Sequence, residues 1–163
     1  MMLRKLEITD APLMLEWMHD QFVVKNMKTN FAEKTMMDCE SFIVSAQDTS
    51  RNLHLAITDE NDEYLGTVSL KNIKDGSAEF GITIRSIAMG RGFAKQAMAE
   101  IIKIGFEKMG LQRIYWCVSP DNKRAVRFYE KNGYYQIAAP EGTEGYTDEE
   151  RKKFFWYMIK RES

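Results

Sequence analysis

Ser77-Ala78-Glu79-Phe80-Gly81-Ile82-Thr83-Ile84-Arg85, followed shortly by Gly90-Arg91-Gly92-Phe93-Ala94-Lys95, decides the architecture, because the hydrophobic period changes between the two runs. In the first run Ala78, Phe80, Ile82 and Ile84 share one face, and Ser77, Glu79, Thr83 and Arg85 share the other, the period of a strand. From Gly90 a long helix is predicted through about Met109. Ala94, Ala97, Met98, Ile101, Gly105 and Met109 recur along it at helical spacing, and Gly110 stops it. Leu111 to Ser119 alternates again, with Ile114, Trp116 and Val118 opposed to Tyr115 and Cys117. A strand, a helix and a strand over residues 77–119 close as a right-handed parallel crossover.

Antiparallel elements surround that unit. Leu53, Leu55 and Ile57 alternate with His54, Ala56 and Thr58 before the turn-rich Asp59-Glu60-Asn61-Asp62, and Tyr64 to Ile73 supplies the partner strand. Lys74-Asp75-Gly76 turns the chain into the Ser77 strand and completes a meander. Upstream, Met2 to Ile8 reads as a strand. Thr9 or Asp10 caps a helix with Pro12 in its first turn, His19 to Phe31 is less regular, and Glu33 to Gln47 is helical. Downstream, Pro120-Asp121-Asn122 turns into a helix over Lys123 to Lys131, which Asn132-Gly133 ends. Tyr134 to Ala138 and Phe154 to Ile159 are strands on either side of a polar, acidic loop at 140–150. The expected fold class is therefore α/β (α+β): a mixed, mostly antiparallel central sheet flanked by helices, with one parallel crossover, in a single domain over residues 1–163.

Composition narrows the partners. Charged residues make up 29% of the 163-residue chain, yet the net charge is −1, so nucleic acid is not the expected partner. No signal-like or membrane-length apolar run is present. The two cysteines, Cys39 and Cys117, form no CxxC or Cys/His cluster. No metal is expected, and a reducing cytoplasm fits best.

The turn at Gly90–Gly92 has the makings of an anion site. A helix N-terminus offers unpaired N–H groups and the positive end of the dipole. Glycines allow the backbone to approach an anion closely. Arg91 and Lys95 add positive charge, and no Asp or Glu lies between Arg85 and Glu100. A tight strand-to-helix turn with no ligand is the plain alternative for the glycines alone. A P-loop requires Gly-Lys-Ser/Thr, which is absent. A dinucleotide fold wants a third glycine where Lys95 stands, and an acid at the end of the next strand, which Leu111–Ser119 lacks.

Two stretches resemble the GNAT family of N-acetyltransferases. Met89-Gly90-Arg91-Gly92-Phe93-Ala94 is similar to the family's Gln/Arg-x-x-Gly-x-Gly/Ala signature, with Met89 where the family has Gln or Arg. Asn122-Lys123-Arg124-Ala125-Val126-Arg127-Phe128-Tyr129-Glu130-Lys131-Asn132-Gly133-Tyr134 is similar to its Asn-x-x-Ala-x-x-x-Tyr-x-x-x-Gly-Phe segment. The branch most resembled is that of ribosomal-protein and small-amine acetyltransferases. The resemblance implies acetyl-CoA as co-substrate, with the pyrophosphate at residues 89–95 (Met89, Gly90, Arg91, Gly92, Phe93, Ala94 and Lys95). It also places the pantetheine arm along the backbone of Ile82, Thr83 and Ile84, and gives Asn122 a contact to the same cofactor. Tyr129 is the implied general acid for the leaving thiolate. Asn122 also reads as a helix N-cap, and Tyr129 as an amphipathic-helix tyrosine.

The acceptor half is less defined. Glu79 is the implied strand glutamate that orders a water to deprotonate the amine, or else a surface carboxylate paired with a lysine or arginine. His19 and His54 are further candidate bases, or locally bonded histidines. Acceptor choice is expected from Trp17–Phe31 and Glu141–Glu150, where Glu141, Glu144, Asp148, Glu149 and Glu150 could steer a cationic amine. The expected acceptor is a primary amine of a small molecule or a protein N-terminus. The rival readings are a CoA-binding sensor or interaction module without catalysis, and an α/β domain that binds no CoA. A homodimer through a strand edge is compatible with this fold.

Overall fold

The computed structural model describes residues 1–143 and 145–162. Seven strands form one sheet: β1 (Met2–Lys5), β2 (Leu53–Thr58), β3 (Tyr64–Lys74), β4 (Ser77–Ile84), β5 (Arg113–Val118), β6 (Gln136–Ile137) and β7 (Phe155–Lys160). Their spatial order is β1-β2-β3-β4-β5-β7-β6. Every neighbouring pair is antiparallel except β4 and β5, which are parallel as the crossover requires. That pairing lasts only from Ser77↔Arg113 to Glu79↔Tyr115. Beyond it Phe80–Ile84 and Trp116–Val118 diverge, and the sheet opens into a V.

Alternation along the strands assigns the two faces. On one, Val68, Leu70, Ala78, Phe80, Ile114 and Trp116 pack with Ala97, Met98 and Ile101 of α4 (Phe93–Lys103) into the larger core. On the other, α1 (Ala11–Met18), α2 (Gln21–Val24) and α3 (Met36–Ser45) bury Met14, Trp17, Cys39 and Ile43 over Ala56 and Tyr64. This second face is the polar one of the central strands, and its helices cover only part of it.

Local chemistry moves several expected boundaries. β1 stops at Lys5 because Glu7 starts a capping box: its N–H donates to Asp10 Oδ2 at 2.8 Å, and Arg4 clamps the same carboxylate with two bonds of 2.8 Å. α3 begins at Met36 rather than Glu33, since Thr35 and Asp38 form its capping box. The helix after the glycine turn starts at Phe93, with Gly92 as N-cap at φ +85°, and its last turn, Ile104–Lys108, is π-helical. Gly105 sits in that turn against the core, where a Cβ would meet Leu70 Cδ1 at 3.0 Å. The expected loop at 140–150 gives way to α6 (Asp148–Lys153), capped by Thr147. No helix among the described residues is long and apolar enough to cross a membrane.

Candidate active site

Two clefts flank the V where β4 and β5 part. The first, about 710 Å³, lies between the glycine turn, α4 and α5 (Lys123–Lys131). Gly90 and Gly92 take φ of +75° and +85°, a left-handed backbone that side chains adopt at a cost. No side chain caps α4, and no acid stands in its first turn. The N–H groups and dipole of that end are therefore left for an anion. Asn122 does cap α5: its Oδ1 accepts from Ala125 N at 3.2 Å. The cap holds α5 so that its basic face lines the same cleft. Lys123, Arg124, Arg127 and Lys131 join Lys25 and Lys95 there against the single acid Asp121. Arg124 Nη2 reaches the turn itself, 3.9 Å from where a Cβ of Gly90 would be.

Most sequence-predicted donor residues therefore meet in one place: Ile82, Thr83, Ile84, Met89, Gly90, Gly92, Phe93, Ala94, Lys95 and Asn122 line the cleft. Arg91 does not line it; its guanidinium lies over the Phe93 ring, 5.1 Å from the centroid. Met89 packs against the apolar core, so a family Gln or Arg at that position is not needed to shape the turn. Arg85, just after β4, is buried. It is 6% exposed and donates to Glu16, Glu63 and the Tyr64 carbonyl. That neutralised clamp ties α1 to β3, so it adds no charge to the anion site. Arg124 and Arg127 line the cleft but were not singled out in the sequence, although the 124, 127, 131 spacing is legible as a basic helical stripe.

Acetyl-CoA fits this cleft on its physical features. It carries phosphates for the uncapped helix end and basic ring, and an extended arm for the unpaired strand edge of β4.

The second cleft, about 560 Å³, lies over the polar sheet face beneath α1 and α3. Ile82, Thr83, Asn122, Ala125 and Tyr129 line both clefts, so the two meet at the V with Tyr129 at the junction. Tyr129 is 7% exposed and packed between Trp116 and Tyr157, with ring centroids 5.4 and 5.0 Å away. Burial raises its phenol above the ordinary value of about 10, and Tyr157, Cys117 and Tyr134 add to the rise. At neutral pH Tyr129 keeps its proton. Trp116 Nε1 and Tyr157 OH beside it are buried without a hydrogen-bond partner among the described residues.

Glu79 lines the second cleft and is 4% exposed. It is not a surface carboxylate and among the described residues pairs with neither lysine nor arginine: Tyr146 OH donates to Oε2 at 2.6 Å and Asn72 Nδ2 to Oε1 at 3.3 Å. The phenol of Tyr146 is raised strongly, by burial first and then by Glu79 and Cys117. The Cys117 thiol is pushed up to about 11 by burial, which makes it inert rather than nucleophilic. His54 shares a 2.6 Å hydrogen bond with Ser69 and is held down to about 4 by burial, with Lys71 adding to the effect. It is neutral at pH 7. His19 is spent on the Lys34 carbonyl at 2.8 Å, and does not line the cleft. Tyr146 escaped sequence reading because folding across 67 residues brings it to Glu79, and Lys71 was not singled out although the hairpin sets it opposite Glu79.

The described acids of the loop expected to steer the amine stand outside both clefts. Glu141, Asp148, Glu149 and Glu150 line neither cleft, and Glu144 lies outside the described residues. Asp148, Glu149 and Glu150 occupy the first turn of α6, where they complement its dipole. Glu150 also caps that helix and pairs with Lys28 at 3.1 Å. Lys28 further donates to the Gly145 carbonyl and lies over the Tyr146 ring at 4.7 Å. These bonds bridge the 26–29 segment to the 145–150 segment across the mouth of the second cleft.

Comparison with known proteins agrees with this geometry. The profile of the acetyltransferase (GNAT) domain family matches residues 1–135. An uncharacterized N-acetyltransferase p20 from Bacillus licheniformis is 31% identical over 132 residues, 77% of this chain and 73% of that protein. Acetyltransferase PseH from Campylobacter jejuni is 27% identical over 131 residues, 80% of each chain. The fold matches the crystal structure of spermidine N-acetyltransferase from Vibrio cholerae in complex with CoA and spermine, with a TM-score of 0.80 over 98% of this chain and 94% of that one; the identity is 21%, a likeness of fold. By a profile match that spans most of its length, the chain belongs to the GNAT acetyltransferase family and is an acetyl-CoA-dependent N-acetyltransferase.

Proposed function

We propose that the acceptor is the primary amine of a small molecule, taken up in the cleft beneath α1 and α3 and acetylated at the V between β4 and β5. The observation that carries this reading is the meeting of two clefts at Tyr129, one basic and one lined by Glu79. The bridge from Lys28 to Glu150 and Gly145 narrows the acceptor mouth, which favours a small amine over a polypeptide end.

Acetyl-CoA supplies the activated acetyl thioester. The chain supplies position and protons. The amides of 90–95, with Lys95, Arg124 and Arg127, hold the phosphates, and the backbone of Ile82–Ile84 aligns the arm. An alkylamine has a pKa near ~10 and is protonated at pH 7, so it needs a base. Glu79, held by Tyr146 and Asn72, accepts that proton through water. Tyr129 holds the proton that the departing sulfur requires, and burial keeps that proton in place until then.

The test is thiol release from acetyl-CoA against polyamines, aminoglycosides, amino sugars, amino acids and N-terminal peptides. Turnover of small amines at rates well above those of peptides is the expected result; a preference for peptide N-termini overturns it.

A further inference from the structure

Lys71 on β3 and Glu79 on β4 are register partners on one face of the sheet. Opposite charges so placed ordinarily pair. Here they do not. Glu79 is engaged by Tyr146 and Asn72, and Lys71 makes no ion pair or side-chain hydrogen bond among the described residues. The Lys71 arm lies instead over Gly81, where a Cβ would stand 3.2 Å from both Cε and Nζ. Gly81 thus leaves room for an ammonium to rest on the floor of the acceptor cleft. The neighbouring cleft side chains are uncharged: His54 is neutral, and Thr67 and Ser69 are hydroxyls.

The cleft also holds the carboxylates Asp38 and Glu79, so its charges are matched in number, but Lys71 touches neither of them among the described residues. Lys28 is neutralised by Glu150, and Asp38 is committed to the capping box of α3. Lys34 is a second cleft lysine without an ion pair among the described residues. The half-buried Lys71 ammonium has no side-chain acceptor in contact among the described residues, and a ligand anion supplies one.

Resting on the reading that this cleft takes the amine, we infer that the acceptor is zwitterionic: a small amine carrying a carboxylate or phosphate, its ammonium directed to Glu79 and Tyr146 and its anion to Lys71. The side-by-side arrangement of an engaged carboxylate and an unpaired ammonium is the complement of such a molecule.

The test compares matched acceptors by kcat/KM: amino acids against the corresponding alkylamines, aminoalkyl phosphates against amino alcohols, and spermidine as the polycation. The wild-type protein is expected to favour the anion-bearing member of at least one pair by about tenfold or more, the worth of a charge-assisted hydrogen bond. Which pair shows the preference tells carboxylate from phosphate. Lys71→Gln is expected to collapse that ratio and Lys71→Arg to retain much of it, with acetyl-CoA binding checked to show that each variant is folded. Lys71→Glu shifts preference towards spermidine. Equal use of both members of every pair, or a Lys71→Gln loss that is the same for all acceptors, overturns the inference while leaving the amine reading intact. Acetyl-CoA binding without transfer to any amine overturns that reading itself, and this inference with it.

Discussion

At the scale of single residues, Tyr129 and His54 show how burial sets chemistry. Tyr129 is protonated because water is excluded from it, and it lines both clefts. Tyr129→Phe keeps the ring in its aromatic wall of Trp116, Tyr134 and Tyr157. It is expected to lower kcat by about 100-fold, within the range of a lost general acid, with little change in KM for acetyl-CoA; an unchanged kcat removes Tyr129 from the proton path. His54 gives a pH prediction. Its folded value of about 4 lies below the unfolded 6.5, so between these values the unfolded chain binds the extra proton. Its contribution to stability is present above pH 6.5 and is lost as the pH falls towards 4. Melting temperature should therefore fall more steeply over that window in the wild type than in His54→Gln. Parallel curves would show that His54 is not the titrating group.

At the scale of elements, two glycines do different work. Gly92 has open space around its missing Cβ but a φ of +85°. Gly92→Ala is therefore a backbone effect alone, costing about 1–2 kcal/mol and raising KM for acetyl-CoA as the turn relaxes; denaturation curves and donor kinetics read the two separately. Gly66 has no such backbone demand, but a Cβ there would fall on the Thr83 carbonyl, at a separation of 2.2 Å. The close approach of β3 to β4 leaves no flexible atom to yield. Gly66→Ala should destabilise by at least about 1–3 kcal/mol, the usual range for overpacking. It should also weaken acetyl-CoA binding, because Thr83 lies on the strand edge proposed to align the arm. A stable, fully active Gly66→Ala would show that β3 can move away from β4.

At the scale of the whole molecule, the site exists because the sheet fails to stay zipped, and distant segments lock over the gap. Lys28 joins the segment after α2 to the segment before α6 through Gly145, Glu150 and Tyr146. An exposed ion pair and a cation–π contact are each worth at most about 1 kcal/mol. Lys28→Ala should then raise acceptor KM by roughly fivefold with little loss of thermal stability, and speed hydrogen exchange at 145–147; unaltered acceptor kinetics would deny the bridge a part in acceptor binding. Much of this architecture was legible in the sequence. The change of period from β4 to α4 dictated the parallel crossover, because a strand–helix–strand unit has one favoured hand. Gly90, Gly92, the acid-free helix start and Asn122–Tyr129 marked the basic cleft now proposed for the donor, because a helix end and its turn are contiguous in the chain. What the tertiary structure alone decided is the lining of the second cleft. Arg85 is claimed by Glu16 and Glu63, and Glu79, which the sequence left open between a water-ordering glutamate and a surface carboxylate, is covered by Tyr146 from 67 residues away. Alternation along a strand tells which face a side chain takes, but not whether a distant segment will fold over that face. Lys71 and Glu79 stand opposite each other yet unpaired for that reason, since only the packed chain determines which partner a carboxylate finds.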